Sequence, residues 1–371
     1  MRDDRDGRLR IHDGHHEGWA DKDDFILAND APAYFHRRVQ ADPKDTWALW
    51  MRGIGWQEKG EFDRAIKDYD ECIRLDPASS SYFNSRGLAY SAKQDFDRAI
   101  KDYDEAVRLH PKDIFAFNSR GNAYYAKKDY DRAIRDFDRA IRLDATFVLA
   151  INNRGAAYDA KKDYDRAIKD YDEAIRLDPN YVTAYRDRAA AHSAKKDYDR
   201  AVKDYDEAIR LDPKDPYDPF DRSVAQMVTR RPGCVKGFQA VLDLQGYKGY
   251  WSGYAVILGH LAAGQAGDEA AAKRFLADAA GKLGEAWPLP VVRFLRGDLD
   301  EPGLLKLAVD DDKRTEARCF LGLHHALKGR PAEALAHYRW VKDHGTPTFV
   351  EYGIAVAELD RLEAPAKPAN P

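Results

Sequence analysis

Cysteine is scarce in this chain: Cys72, Cys234 and Cys319 are the only three among 371 residues, far apart and without a Cys-x-x-Cys pair. That spacing excludes a disulfide framework and a zinc ribbon. No apolar run reaches 18 residues, and the opening MRDDRDGRLR lacks the apolar core of a signal peptide, so the chain as written reads as soluble and cytoplasmic. Neither sign of charge dominates, with 60 Lys+Arg against 64 Asp+Glu and a net charge of −4. A nucleic-acid binder should carry a net basic stripe, and none is visible. The motifs that announce chemistry are missing too: there is no Gly-rich phosphate loop, no Gly-x-Ser-x-Gly and no His-Glu-x-x-His. The expectation is a protein with no enzymatic activity, no cofactor and no metal.

What the chain has in abundance is itself. Aligned on the run Asp-Tyr-Asp-Glu-Ala-Ile-Arg-Leu-Asp-Pro, a 34-residue register holds through five copies that begin at Thr46, Ser80, Ile114, Val148 and Val182. The closing position reads Pro77, Pro111, Ala145, Pro179 and Pro213 without a slip. A fixed period of this length means one supersecondary unit stacked on copies of itself. Within the copy at 148–181, two apolar stripes at helical spacing appear, one through Leu149, Asn153, Ala156 and Ala160, the other through Tyr164, Ala167, Ile168, Tyr171, Ala174 and Ile175. The same copy carries six Lys/Arg and seven acids, so its surface is nearly neutral. Cys72 stands where other copies have Ala, which marks it as a small buried side chain.

The helix ends agree with two helices per copy. Asp95, Asp129, Asp163 and Asp197 stand where the second helix must start, and a carboxylate there caps free amides. Arg108, Arg142, Arg176 and Arg210 fall in its last turn, and Pro then stops it. Arg52, Arg86, Arg120, Arg154 and Arg188 recur together with Asp68, Asp102, Asp136, Asp170 and Asp204. The expectation is an Arg–Asp ladder between helices, setting register more than adding stability.

Gly53, Gly87, Gly121 and Gly155, with Ala65, Ala99, Ala133, Ala167 and Ala201 and the aromatics Tyr103, Phe137 and Tyr171, match the pattern of the tetratricopeptide repeat. Residues 46–215 therefore resemble that family as five repeats (46–79, 80–113, 114–147, 148–181 and 182–215). The repeated Arg stands where the family usually has Leu. The resemblance implies an all-α fold, a right-handed α-solenoid of helix pairs whose first helices line a concave groove. It implies a scaffold that binds a protein or an extended peptide there. Carried onto this chain, the groove positions include Trp47, Trp50, Asn84, Asn118, Tyr125, Asn152, Asn153 and Arg186. The Lys/Asn/Arg set that clamps a C-terminal carboxylate in chaperone-binding members is absent, and a short asparagine ladder stands in its place.

An asparagine offers a donor and an acceptor together, matching a peptide group. Groove helices ~8–10 Å apart and a peptide advancing ~3.3 Å per residue would let one rung meet the bound backbone about every third residue. Trp47, Trp50, Phe83, Phe115 and Tyr125 would then add specificity. The other reading of these asparagines is that they cap or bridge neighbouring helices.

The flanks differ. In residues 1–29, Arg8–His12 alternates like a strand, Asp13-Gly14 signals a turn and Glu17-Gly18-Trp19-Ala20 starts another extended stretch. The Glu-Gly-Trp run with Asp23-Asp24-Phe25-Ile26 looks like the last strands of a bacterial SH3-like domain. Two or three strands cannot bury a core alone, so the expectation is a chain whose native product starts upstream of Met1, where a signal could stand and make it periplasmic. Residues 30–45 read as a capping helix. After Pro213 the pattern weakens: helix pairs are expected near 250–281 and 315–343, short helices at about 290–297 and 301–308, a closing helix Val350–Leu362, and a disordered tail at 364–371. The layout of WPLPVVRFLRGDL, FLGLHHALKGRPAEALAHYRWV and FVEYGIAVAEL is similar to NlpI-like bacterial lipoproteins, adaptors of the cell envelope that gather hydrolases and proteases. That resemblance implies an envelope adaptor as an alternative. A regulatory module of a longer enzyme and a homodimerisation module built on the outer helices are the others.

Among eleven histidines, His12, His15 and His16 cluster without acidic or cysteine ligands at matching spacing. His324 and His325 are adjacent, so on a helix they point about 100° apart. His325 and His192 occupy the packing-aromatic position of the repeat and are read as core or semi-core.

Overall fold

The computed structural model describes the backbone of residues 2–3, 8–12, 17–21 and 31–364, and the side chains of residues 32–364. Strands β1 (Arg2–Asp3), β2 (Arg8–His12) and β3 (Glu17–Asp21) form an antiparallel sheet in that order, with Arg10 opposite Trp19. The two expected extended stretches are therefore strands. His15, His16 and the tail after residue 364 lie outside the described residues.

Helix α1 (Ala31–Ala41) leads into five pairs: α2 (Thr46–Glu58) with α3 (Phe62–Leu75), α4 (Ser80–Ala92) with α5 (Phe96–Leu109), α6 (Ile114–Ala126) with α7 (Tyr130–Leu143), α8 (Val148–Ala160) with α9 (Tyr164–Leu177), and α10 (Val182–Ala194) with α11 (Tyr198–Leu211). There follow α12 (Tyr217–Val228), α13 (Cys234–Gln245), α14 (Ser252–Gln265), α15 (Glu269–Ala279), α16 (Leu289–Arg296), α17 (Glu301–Leu307), α18 (Asp311–Leu327), α19 (Pro331–His344) and α20 (Val350–Glu363). Contacts divide the chain into two compact units, one ending at Asp178 and one starting at Pro179. Unit 1 holds the first four pairs. Unit 2 holds the fifth pair and every helix after it.

Each pair is closed by the same turn. The second residue after the first helix's end takes a left-handed backbone: Gly60 (φ 75°) in the first copy, then Gln94, Lys128, Lys162 and Lys196 (φ 61–62°). The next amide returns to the helix, as Asp95 N does to the Tyr90 carbonyl at 2.9 Å, which satisfies an orphan acceptor in the manner of a Schellman cap. That same Asp then caps the second helix: its side chain accepts from Arg98 N, and Asp129, Asp163 and Asp197 repeat the bond to Arg132, Arg166 and Arg200.

Inside a pair, glycine lets an aromatic ring touch backbone. A Cβ on Gly121 would lie 2.6 Å from the Phe137 ring, and Gly53, Gly87 and Gly155 meet Tyr69, Tyr103 and Tyr171 in the same way. Ala65, Ala99, Ala133 and Ala167 are fully buried beside them, as is Ala201 in the fifth pair. The contact reappears as Gly259 on Phe275 in α14/α15 and Gly322 on Tyr338 in α18/α19. These two pairs share that glycine-on-ring contact.

The pair α12/α13 was not expected, because its small residue changes sides. Ser223 stands where the register calls for Gly, and Gly237 on the second helix makes the room, with a Cβ there meeting Ser223 Oγ at 1.9 Å. Packing also differs between the units. Unit 1 is built of small separate clusters, such as Ala99, Tyr103 and Ala123, whereas one continuous core runs from Phe220 to Leu359 in unit 2.

Candidate partner-binding surface

In unit 1 the first helices are held in register by arginine. Arg86, Arg120 and Arg154 each grip the Asp of their own pair through Nε and Nη2, and each spends Nη1 on an Asp of the preceding pair. Arg52 and, in unit 2, Arg188 make the same two-pronged contact with Asp68 and Asp204. The expected ladder therefore links helices within a pair and joins consecutive pairs. Burial alone would lower the Arg120 pKa, but hydrogen bonds and charge from Asp136 and Asp104 outweigh it and hold the guanidinium further up. The positions of α2, α4, α6 and α8 are fixed this way.

On those helices the residues expected in the groove separate into two groups. Trp47 is 48% exposed, flanked edge-on by Phe35 and covered on one face by the Arg38 guanidinium. Phe115 and Leu149, at the same second position of their repeats, are each 45% exposed, and Leu88 and Tyr125 are exposed as well. The polar residues are mostly occupied. Trp50 Nε1 donates to Ser85 Oγ at 2.9 Å, and Asn153 Nδ2 donates to Asn118 Oδ1 at 3.0 Å. Both bonds join the fifth position of one first helix to the sixth position of the next. Two expectations need correction. Asn152 is buried (3% exposed). Arg186, in unit 2, is held by Asp212, Asp215 and Asp218 through Nε and Nη2. The Asn84 Oδ1 is buried without a hydrogen-bond partner among the described residues.

Tetratricopeptide repeat models match residues 51–114 and, copy by copy, residues 114–147, 148–181 and 182–215. The chain carries tetratricopeptide repeats. Solved structures with a similar fold include MamA, at 28% identity over 44% of this chain and 95% of that one with a TM-score of 0.41. YrrB, a tetratricopeptide protein with an unusual peptide-binding site, matches at 19% identity over 48% of this chain and 92% of its own, with a TM-score of 0.40. A chain of the APC/C hetero-tetramer Cut9–Hcn1 matches at 16% identity over 63% of this chain and 46% of its own, with a TM-score of 0.53; at that identity the likeness is one of fold. No curated protein matches the chain in sequence. Among the described residues, no helix of the tetratricopeptide protein is long and apolar enough to cross a membrane.

One cluster in unit 2 escaped the reading of the repeats. Glu301 on α17, His325 on α18 and His337 on α19 bring potential metal-ligand atoms within 4.8 Å of one another. His325 Nε2 lies 2.9 Å from one Glu301 oxygen and His337 Nε2 lies 3.2 Å from the other. The Arg318 guanidinium reaches His337 Nδ1 at 3.4 Å, which makes that nitrogen the acceptor and leaves Nε2 to carry the proton toward Glu301. A metal would need that nitrogen unprotonated, and the other ring nitrogen of His325, Nδ1, is buried without a hydrogen-bond partner among the described residues. Burial pushes the His337 pKa down to about 4, against the pull of Glu301. No short motif could have revealed this cluster, since Glu301 precedes His325 by 24 residues and only the packing of three helices joins them.

Proposed function

We propose that the first helices of the four repeats in unit 1 form a docking surface for a partner polypeptide, and that the protein acts as a scaffold. The observation that carries this reading is the row of apolar side chains left in water on those helices: Trp47, Phe115 and Leu149, with Leu88 and Tyr125 nearby. A folded helix face buries such groups when it can, and each is worth about 1.5–3 kcal/mol on full burial. Aromatic anchors on a rigid scaffold are also the residue type that dominates binding interfaces. Affinity is assigned to these side chains, with the asparagines of α6 and α8 holding the helices beneath them.

Selection of peptides from a displayed library against the full chain tests the reading. Selected peptides should be rich in apolar residues and should alter Trp47 fluorescence on binding. Trp47→Ala and Phe115→Ala should each weaken them about tenfold or more, a loss of ~1.4 kcal/mol or above, with the helical fold retained. Equal affinity in both variants would remove the surface from this row.

A further inference from the structure

Unit 2 contains a cavity of about 360 Å³ where α10, α11 and α12 meet the closing helix α20. Its walls are apolar and aromatic, with Tyr198, Tyr205, Val224, Phe349 and Ile354 among them, and one carboxylate, Asp221, faces in. Asp221 is half-buried. No described residue donates a hydrogen bond or a counter-charge to it. The cations nearby are committed elsewhere: Arg186 to Asp212, Asp215 and Asp218, Arg222 to Asp206, Lys196 to Asp360 and Arg230 to Glu358. Burial, followed by the charges of Asp218 and Asp215, holds the Asp221 carboxyl up to about 7, and no cation pulls it back.

An isolated carboxylate in such surroundings is costly. A structural role would have supplied a partner from within the chain, as the Arg–Asp ladder does for Asp68, Asp102, Asp136, Asp170 and Asp204 and as Arg186 does for Asp218. The cost falls when a ligand brings the missing positive charge. Apolar walls suit an alkyl stem, and tyrosine rings favour a cation beside them. We propose that this cavity binds an alkylammonium group, with Asp221 as its counter-ion. The group is the end of either a free aliphatic amine or a lysine side chain on another polypeptide. The site is in unit 2 and does not depend on the surface assigned to unit 1.

Calorimetry on the full chain at pH 8 tests it with three probes: pentylammonium, Nα-acetyl-lysine N-methylamide and neutral 1-pentanol. Pentylammonium should bind at least tenfold more tightly than pentanol. Asp221→Asn should abolish that preference while raising the melting temperature of the free protein, since it removes an unpaired charge. Val224→Phe, which fills the cavity and keeps Asp221, should lose binding of both amines. Tighter binding of the lysine derivative than of pentylammonium identifies a polypeptide lysine as the source, and its exclusion identifies a free amine. The proposal is overturned if no amine binds, if pentanol binds equally well, or if Asp221→Asn binds pentylammonium as the native chain does. A lowered melting temperature for Asp221→Asn with unchanged binding would make Asp221 structural.

Discussion

Arg120 holds Asp136 with two hydrogen bonds, Nε to Oδ2 at 2.8 Å and Nη2 to Oδ1 at 2.7 Å, and reaches back to Asp104 of the preceding repeat with Nη1 at 2.6 Å. Neither member of the inner pair is well solvated, with side chains 17% and 9% exposed. Removing one partner strands the other. Arg120→Ala should therefore cost about 3–5 kcal/mol in denaturant unfolding, while Arg120→Leu combined with Asp136→Ala should recover most of that loss. Arg120→Lys should recover little, because an ammonium cannot match the two-pronged geometry. Equal stability of the single and double variants would show that the pair is not coupled.

Gly121 faces the Phe137 ring at a distance that leaves no room for a methyl group. Gly121→Ala should destabilise unit 1 by about 1–3 kcal/mol through overpacking, despite the better helix propensity of Ala. Pairing it with Phe137→Leu should relieve part of the strain. A melting temperature equal to the native value for Gly121→Ala would refute the close contact.

Asn118→Ala separates structure from recognition. The side chain accepts from Asn153 at 3.0 Å, so its loss should lower stability by about 1 kcal/mol, with affinity for a selected peptide changing less than it does in Trp47→Ala. A peptide affinity that drops with no change in melting would restore the asparagines as direct contacts.

Glu351 gives unit 2 a pH dependence of defined sign. Burial, reinforced by the neighbouring Glu316 charge, holds its carboxyl up to about 8, against an ordinary value of 4.5. Glu316 is itself fixed by Trp287 Nε1 at 2.5 Å and the Tyr254 hydroxyl at 3.0 Å. The folded state therefore keeps a proton on Glu351 that the unfolded chain releases above pH 4.5. Its contribution to stability is complete below that value and is lost as pH rises through 8. Glu351→Gln should flatten unfolding free energy across this window and stabilise the protein at pH 8; an unaltered slope would assign the dependence to other groups.

The turn between helices shows how far local rules carry. Asp95 and its equivalents were readable as caps because a carboxylate at a helix start has one main use. The left-handed residue before them was not, since Gln94 and Lys128 carry no glycine signal and adopt φ near 62° only because the helix pair on either side demands it.

The 34-residue period, the five helix pairs of residues 46–215, their caps and the Arg–Asp ladder were written in the sequence, because each follows from side chains at fixed short separations along the chain. Tertiary structure alone decided which groove positions remain open. Trp47 and Phe115 stay exposed while Asn152 is buried and Asn118 is bridged, and that outcome depends on how one repeat meets the next. The Glu301–His325–His337 cluster and the Asp221 cavity are of the same kind. Their members lie tens to more than a hundred residues apart, where no periodicity relates them, and only the packing of α17 with α18 and α19, and of α12 with α20, brings them together.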